Sequence, residues 1–283
     1  MGLNEAVDRV VAAALAEDLG AGDPTSEGLF GADRACEAVV LLKEAGVVCG
    51  LQIAAAVFAA VDPRVQLQPL AEDGRQFEAV PVELAHLAGP ARAILAGERT
   101  ALNLLGRLSG IATLTARCVA ELAGTQATLL DTRKTTAGLR ELEKYAVRCG
   151  GGTNHRLNLG EALLVKDNHK RLAGGVGEAA RKLRQTEPGL SLEVEAETLE
   201  DVRDALSAGV DRILLDNMSA AELRRAVALC TGRCKTEASG GITLANLREV
   251  ALTGVDFISL GALTHSARSI DVSLEVTGWA NPT

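Results

Sequence analysis

Aromatic side chains are nearly missing from this chain: its 283 residues include one Trp, one Tyr and four Phe. Single-stranded nucleic acid is gripped by exposed aromatic platforms, so that mode of binding is excluded. The core must instead be built from Leu, Val, Ile and Ala. A basic surplus is missing as well. The chain carries 29 Lys and Arg against 37 Asp and Glu, a formal charge of -8, which excludes the cationic face that duplex phosphates require. No apolar run is long enough to span a bilayer; the longest, Val47 to Val61, is interrupted by Gln52. The first residues show no charged-then-apolar leader, and Ala6 stands where a myristoylated Gly2 would be followed by Ser or Thr. The six cysteines are scattered and are read as reduced thiols, with Cys230 and Cys234 alone too few for a zinc site. A soluble cytoplasmic protein without nucleic-acid or membrane partners is expected.

What is present is ordinary globular composition, 47% hydrophobic and 23% charged, arranged in two styles. In the first hundred residues, helical spacing covers Val7 to Leu15 and Gln52 to Ala60. Strand-like stretches lie at Cys36 to Leu42, from Val47, around Val65 to Leu70 and at Val80 to Leu87. Ala91 to Leu122 is helical again, and Gly106 and Gly110 are expected to divide it into two helices. Thereafter a short apolar run ends six times in a polar cluster: at Asp131-Thr-Arg-Lys134, Lys166-Asp-Asn-His169, Glu193-Val-Glu195, Asp216-Asn217, Ser239-Gly-Gly241 and Gly261-Ala-Leu-Thr-His265. Amphipathic stretches such as Leu199 to Ala208, Ala220 to Leu229 and Leu244 to Leu252 separate the later ones. Strands alternating with helices imply βαβ units and a parallel sheet. Polar residues at the strand C-termini favour an α/β barrel with its site on that rim, although six strands are apparent rather than eight. No G-x-G-x-x-G follows the first of these strands, which weighs against a dinucleotide-binding sheet.

The chemistry concentrates at those strand ends. Between Asp131 and Arg171, nine Lys and Arg stand against five Asp and Glu inside an acidic chain, a local attractor for small anions. Arg140, Lys144 and Arg171 are expected on solvated helix faces. Arg133, Lys134, Arg156 and Lys166 are expected at the barrel mouth. Glu195 and Asp216 end consecutive strands, where oxygen ligands suit Mg²⁺ or ribose hydroxyls, and Glu193 should share the inward face of Glu195. Ser239-Gly240-Gly241 and Gly261 end the last two strands, the usual place for a phosphate in such barrels. Gly150-Gly151-Gly152 leads into His155-Arg156. His86 reads as structural, and His265 as a helix cap or a ligand contact. Together these residues describe an enzyme acting on a multiply anionic, phosphate-bearing substrate with Mg²⁺.

Three motifs, Asp131-Thr-Arg-Lys-Thr-Thr136, Lys144-Tyr-Ala-Val-Arg-Cys-Gly-Gly-Gly-Thr-Asn-His-Arg156 and Lys166-Asp-Asn-His169, resemble the quinolinate phosphoribosyltransferase family. Glu17-Asp-Leu-Gly20 with Gly22-Asp23, Glu98-Arg-Thr-Ala-Leu-Asn103, Glu193-Val-Glu195, Leu215-Asp-Asn217, Ser239-Gly-Gly241 and Gly261-Ala-Leu-Thr-His265 extend the likeness over nearly the whole chain. Ala137 departs from the proline usual in the family. The resemblance implies an N-terminal α/β sandwich over residues 1–105, joined by 268–283, and an irregular parallel α/β barrel over 106–267 that carries the site. It implies transfer of phosphoribose from phosphoribosyl pyrophosphate to quinolinate, with Mg²⁺, giving nicotinate mononucleotide, pyrophosphate and CO2 for NAD biosynthesis. Arg99, Arg133, Lys134, His155, Arg156 and Lys166 match the carboxylate-binding set. Glu195 and Asp216 match the ribose and Mg²⁺ set, and Ser239, Gly240, Gly241 and Gly261 match the phosphate grip. Lys134, Glu195 and Asp216 are the implied catalytic residues. Arg99 is implied to enter the neighbouring subunit's site, making a homodimer or a higher homo-oligomer the working unit. The alternatives are a nicotinate phosphoribosyltransferase, a molybdenum-transport-associated paralogue of the same fold, and a non-catalytic phosphate-metabolite sensor.

Overall fold

The computed structural model describes residues 2–280, which fall into two compact units. The first unit comprises Met1–Ala116, Thr135–Gly151 and Thr264–Thr283, and the second Arg117–Lys134 and Gly152–Leu263. Among the described residues no helix is long and apolar enough to cross a membrane.

The first unit opens with helices α1 (Leu3–Leu19) and α2 (Pro24–Leu29), the latter capped by Asp23, whose carboxylate accepts from Thr25 and Ser26 amides at 3.1 Å. Then follow β1 (Ala35–Leu42), β2 (Gly46–Val47), α3 (Leu51–Val61), β3 (Gln66–Pro69), β4 (Gln76–Phe77), β5 (Val82–Pro90) and α4 (Ala91–Glu121). Strand β1 alternates as its sequence requires, with Cys36, Ala38, Val40 and Leu42 buried on one face. The chain returns at its far end as β12 (Val272–Trp279), which pairs antiparallel with β1, and the sheet order is β12-β1-β5-β3.

Helix α4 runs unbroken through Gly106 and Gly110, contrary to the expected division. The glycines serve a different purpose. A Cβ on Gly110 would lie 1.9 Å from the Arg268 carbonyl oxygen, and one on Gly106 would lie 2.9 Å from that of Ile270. The returning segment thus rests directly on the helix backbone, with the Ile270 amide donating to the Gly106 carbonyl at 3.1 Å. Gly110→Ala is expected to cost about 3 kcal/mol of stability, because backbone must move to admit the methyl group. Urea denaturation reads this directly, and an unchanged midpoint would contradict it.

Helix α5 (Arg140–Cys149) belongs to the first unit, although it falls within the stretch 106–267 assigned to the barrel from sequence. Its apolar face, Leu142, Ala146 and Val147, is fully buried. Glu143 is buried too and accepts from Arg107 at 2.9 Å and from the Thr136 hydroxyl at 2.8 Å, while Arg107 also reaches the Thr264 and Ala267 carbonyls. Lys144, expected in solvent, is instead 1% exposed. Three consecutive buried positions, Leu142 to Lys144, show that this helix is enclosed on more than its apolar stripe, which periodicity alone does not reveal.

The second unit holds all six parallel strands anticipated from the sequence: β6 (Thr128–Leu130), β7 (Leu163–Val165), β8 (Leu192–Ala196), β9 (Arg212–Asp216), β10 (Lys235–Ser239) and β11 (Phe257–Ser259). Their order is β6-β11-β10-β9-β8-β7, and Thr153 pairs in parallel with Leu130 along the remaining side of β6. Helices α6 (Asp167–Ala173), α7 (Val176–Thr186), α8 (Leu199–Ser207), α9 (Ala220–Cys230) and α10 (Leu247–Ala251) connect the strands, and α11 (Ala262–His265) follows β11. Thr198 and Ser219 close capping boxes with Asp201 and Glu222. Ile213 and Leu215 on β9 are fully buried on one face, while Arg212, Leu214 and Asp216 share the other, so this strand turns both of its charged side chains to the same side. The chain is a mixed α/β protein with an antiparallel first sheet and a parallel second one.

Candidate active site

Because the strands are parallel, their C-terminal residues gather at one end of the second unit. Following the sheet order, that end carries Arg133 and Lys134 after β6, Gly261 after β11 and Ser239, Gly240 and Gly241 at β10. It continues with Asp216 at β9, Glu195 at β8 and Lys166 after β7. Cations therefore occupy both margins, with two neighbouring glycine turns and then carboxylates between them. Arg99 lies exposed on α4 in the first unit.

The segment Asn154-His155-Arg156 is anchored from below. Asp131, fully buried at the end of β6, accepts from the Asn154 amide group at 2.6 Å and from the His155 backbone N–H at 2.8 Å. The His155 ring is engaged on both nitrogens: Nδ1 accepts from the Arg156 N–H at 2.8 Å, and Nε2 lies 3.0 Å from Glu193 and 3.5 Å from Glu237. Glu193 faces inward, as strand alternation predicts, and is 4% exposed. Arg212 donates to Glu237 at 2.9 Å and stacks on Phe257. Strands β8 and β10 are separated by β9, so their two carboxylates reach across that strand to meet one imidazole.

This floor is electrically tense. Burial opposes a charged His155, but the Glu193 hydrogen bond and the Glu237 and Glu193 charges outweigh it and raise the imidazole pKa. Glu237 is pushed up to about 7, first by burial and then by Glu193, against His155 and Arg212. The Oε1 of Glu193 is buried with no hydrogen-bond partner among the described residues, and Ser259 assists His155 and Arg212 at Glu237.

Above the floor, Arg156 donates from Nη1 to the Ala162 carbonyl at 2.7 Å, and its buried Nε has no hydrogen-bond partner among the described residues. Burial lowers the Arg156 pKa, and the neighbouring charge of Arg133 lowers it further. Two guanidiniums held together in a half-buried place call for an anion.

On the carboxylate side, Glu195, Glu197 and Asp216 bring one oxygen each within 4.8 Å of one another. Burial raises the Glu195 carboxyl, with Asp216 adding to it; burial also raises Asp216, with Glu197 adding, against Asn217, Lys134 and Lys166. The Asn217 side chain donates to Asp216 at 2.6 Å, and Asn217 itself adopts φ 55. Gly240 has φ 85, and a Cβ there would lie 2.3 Å from the Asn217 side-chain oxygen, so glycine is required where this turn crosses β9's end.

The sequence-derived set divides accordingly. Arg133 and Arg156 come together, as do Glu195 and Asp216 with Lys134 and Lys166 near enough to feel their charge. Ser239, Gly240 and Gly241 share the adjoining rim with Gly261, and Arg99 lies in the other unit. His169 caps α6, accepting from the Lys166 N–H at 3.0 Å. His86 pairs with Glu83 at 2.9 Å, and His265 contacts Ser266 at 2.7 Å. Four participants were missed: Glu197, Glu237, Arg212 and Asp131. Alternation signalled three, since Glu193-Val-Glu195-Ala-Glu197 places carboxylates two apart, Glu237 lies two before Ser239 and Arg212 four before Asp216, whereas Asp131 follows two buried leucines and carries no such signal.

Residues 23–109 match the N-terminal domain of quinolinate phosphoribosyl transferase, and residues 111–275 match the C-terminal domain. A probable nicotinate-nucleotide pyrophosphorylase (carboxylating) of Bacillus subtilis is 47% identical over 262 residues, covering 92% of this chain and 90% of that protein. One from Synechocystis is 45% identical over 266 residues, covering 93% and 90%. The solved nicotinate-nucleotide pyrophosphorylase of Francisella tularensis superposes with a TM-score of 0.92 at 39% identity, covering 97% of both chains. With both domain signatures in order across one chain and the fold matched along nearly its full length, this protein belongs to the quinolinate phosphoribosyltransferase family.

Proposed function

We propose that the protein transfers phosphoribose from phosphoribosyl pyrophosphate to the ring nitrogen of quinolinate and releases CO2, forming nicotinate mononucleotide for NAD biosynthesis. The observation that carries this reading is the closeness of Arg133 to Arg156 together with the convergence of Glu195, Glu197 and Asp216, within a chain of this family. Quinolinate presents two adjacent carboxylates, and paired guanidiniums offset their repulsion while fixing the ring. Lys134, Lys166, His155 and the Arg99 of a neighbouring subunit complete that subsite, with His155 acting through Arg156 and Glu193. Glu195 and Asp216 stabilise the positive charge that builds on the ribose as pyrophosphate departs. Ser239, Gly240, Gly241 and Gly261 hold the 5′-phosphate. Once the nitrogen is quaternised, the ring accepts the electron pair left by the departing 2-carboxylate, so no covalent nucleophile is needed.

Glu195, Glu197 and Asp216 fit a hard divalent cation, since three oxygen donors converge, two of them half-buried and raised by burial and by neighbouring carboxylate charge. Mg²⁺ held there would neutralise pyrophosphate charge. The protein acts as a cytoplasmic homodimer or higher homo-oligomer in this reading.

Carboxyl-labelled quinolinate should release CO2 only when phosphoribosyl pyrophosphate is present, and nicotinate should not substitute for it. Equal turnover of nicotinate would favour the single-carboxylate transferase instead. The shared site has its own test. Arg99→Ala and Lys134→Ala chains should each be inactive alone, yet co-expressed mixed dimers should recover up to about half of wild-type activity, because one site per dimer then carries neither lesion. Mixed dimers as inactive as their parents would place Arg99 within its own subunit's site.

A further inference from the structure

We propose that Cys149 and Cys49 form a hydroperoxide-reactive thiol pair in the first unit, with Cys149 the attacking sulfur and Cys49 the resolving one, closing reversibly to a disulfide. Folding joins two cysteines a hundred positions apart. Cys49 lies just before α3, where its N–H donates to the Ser109 hydroxyl at 2.9 Å, and Cys149 is the last residue of α5. Their sulfurs and an Asp73 oxygen all lie within 4.8 Å of one another. Cys49 is fully buried and Cys149 is half-buried, so an oxidant from solvent meets Cys149 first. Tyr145, one helical turn before Cys149, donates to Asp73 at 2.8 Å.

The two thiols are electrostatically unequal. A hydrogen bond from Cys49 holds the Cys149 thiol below its ordinary value, with Tyr145 and Arg148 assisting against burial and Asp73. The same hydrogen bond, with burial, pushes Cys49 up. A thiol that ionises more readily than usual beside a partner that ionises less readily is the arrangement that reacts and then resolves. Burial raises the Cys118 thiol to about 11 despite Arg117, and also raises Cys36.

The chemistry balances with a hydroperoxide as the oxidant. The Cys149 sulfur attacks a peroxide oxygen, the O–O bond breaks, and hydroxide leaves to become water, giving a sulfenic acid. The Cys49 sulfur then attacks Cys149, the S–O bond breaks, and the departing hydroxide takes the Cys49 proton as a second water. Two thiols lose two electrons and one peroxide is reduced.

The full-length protein, treated with hydrogen peroxide, alkylated and digested, should yield a Cys49–Cys149 cross-linked peptide that dithiothreitol removes. In untreated protein, alkylation of Cys149 should be at least about tenfold faster than that of Cys36 or Cys118. C49S should accumulate a Cys149 sulfenic acid trapped by dimedone, and C149S should form no Cys49 cross-link. Alkylation of Cys149 no faster than of Cys118, or cross-linking confined to Cys230 and Cys234, would overturn the proposal. So would one equivalent of zinc in the purified protein whose removal alone exposes the thiols, since Cys49, Asp73 and Cys149 would then be metal ligands.

Discussion

Arg156→Ala is expected to lower kcat/KM for quinolinate on the order of a hundredfold while leaving the fold at least as stable as before. The side chain spends one donor on the Ala162 carbonyl and keeps its buried Nε without a partner among the described residues. A substrate carboxylate would satisfy that N–H through a charge-assisted bond, and losing such bonds costs about 3 kcal/mol. Folding gains little from this residue, because burial and the charge of Arg133 together outweigh the attraction of Glu193. Arg156→Lys should rescue little, since an ammonium has no Nε and no planar fork. Steady-state kinetics and urea denaturation together decide the point. A large fall in stability with unchanged kinetics would make Arg156 a structural residue.

Stability is expected to fall as pH rises from about 5 to about 8, and Glu237→Gln should flatten that fall. Glu237 has a folded pKa of about 7 against an ordinary value of 4.5. A carboxyl raised on folding contributes stability below its unfolded pKa and loses it as pH climbs through the folded one. His155 is also raised, so its contribution likewise disappears as pH climbs through its folded pKa. The combined loss is on the order of 2 kcal/mol. Glutamine still offers Arg212 an oxygen but cannot ionise, so the variant should match wild type near pH 5 and equal or exceed it near pH 8. Denaturant melts across this range measure both slopes, and identical slopes would show that Glu237 does not titrate there.

The elements with strong local signals were legible from the chain alone. Six apolar runs ending in polar clusters became six parallel strands, because alternation and β-branched content are local properties. Glu193 was legible for the same reason. The rim motifs were legible because they ride on strand ends, where position in sequence and position in the site coincide.

Other features had no local signal. Gly106 and Gly110 read as helix breakers, and only the carbonyls of Arg268 and Ile270, some 160 residues away, explain why α4 continues through them. Lys144 read as a solvated lysine until α5 was seen enclosed in the first unit. Sequence determined which residues alternate and where polar clusters end strands, since those depend on neighbours along the chain. Tertiary structure decided the β6-β11 adjacency, the meeting of Glu193 and Glu237 on His155, and the pairing of Cys49 with Cys149. Each joins groups far apart in sequence, and their charges and thiols acquire perturbed properties only once burial has removed the water between them.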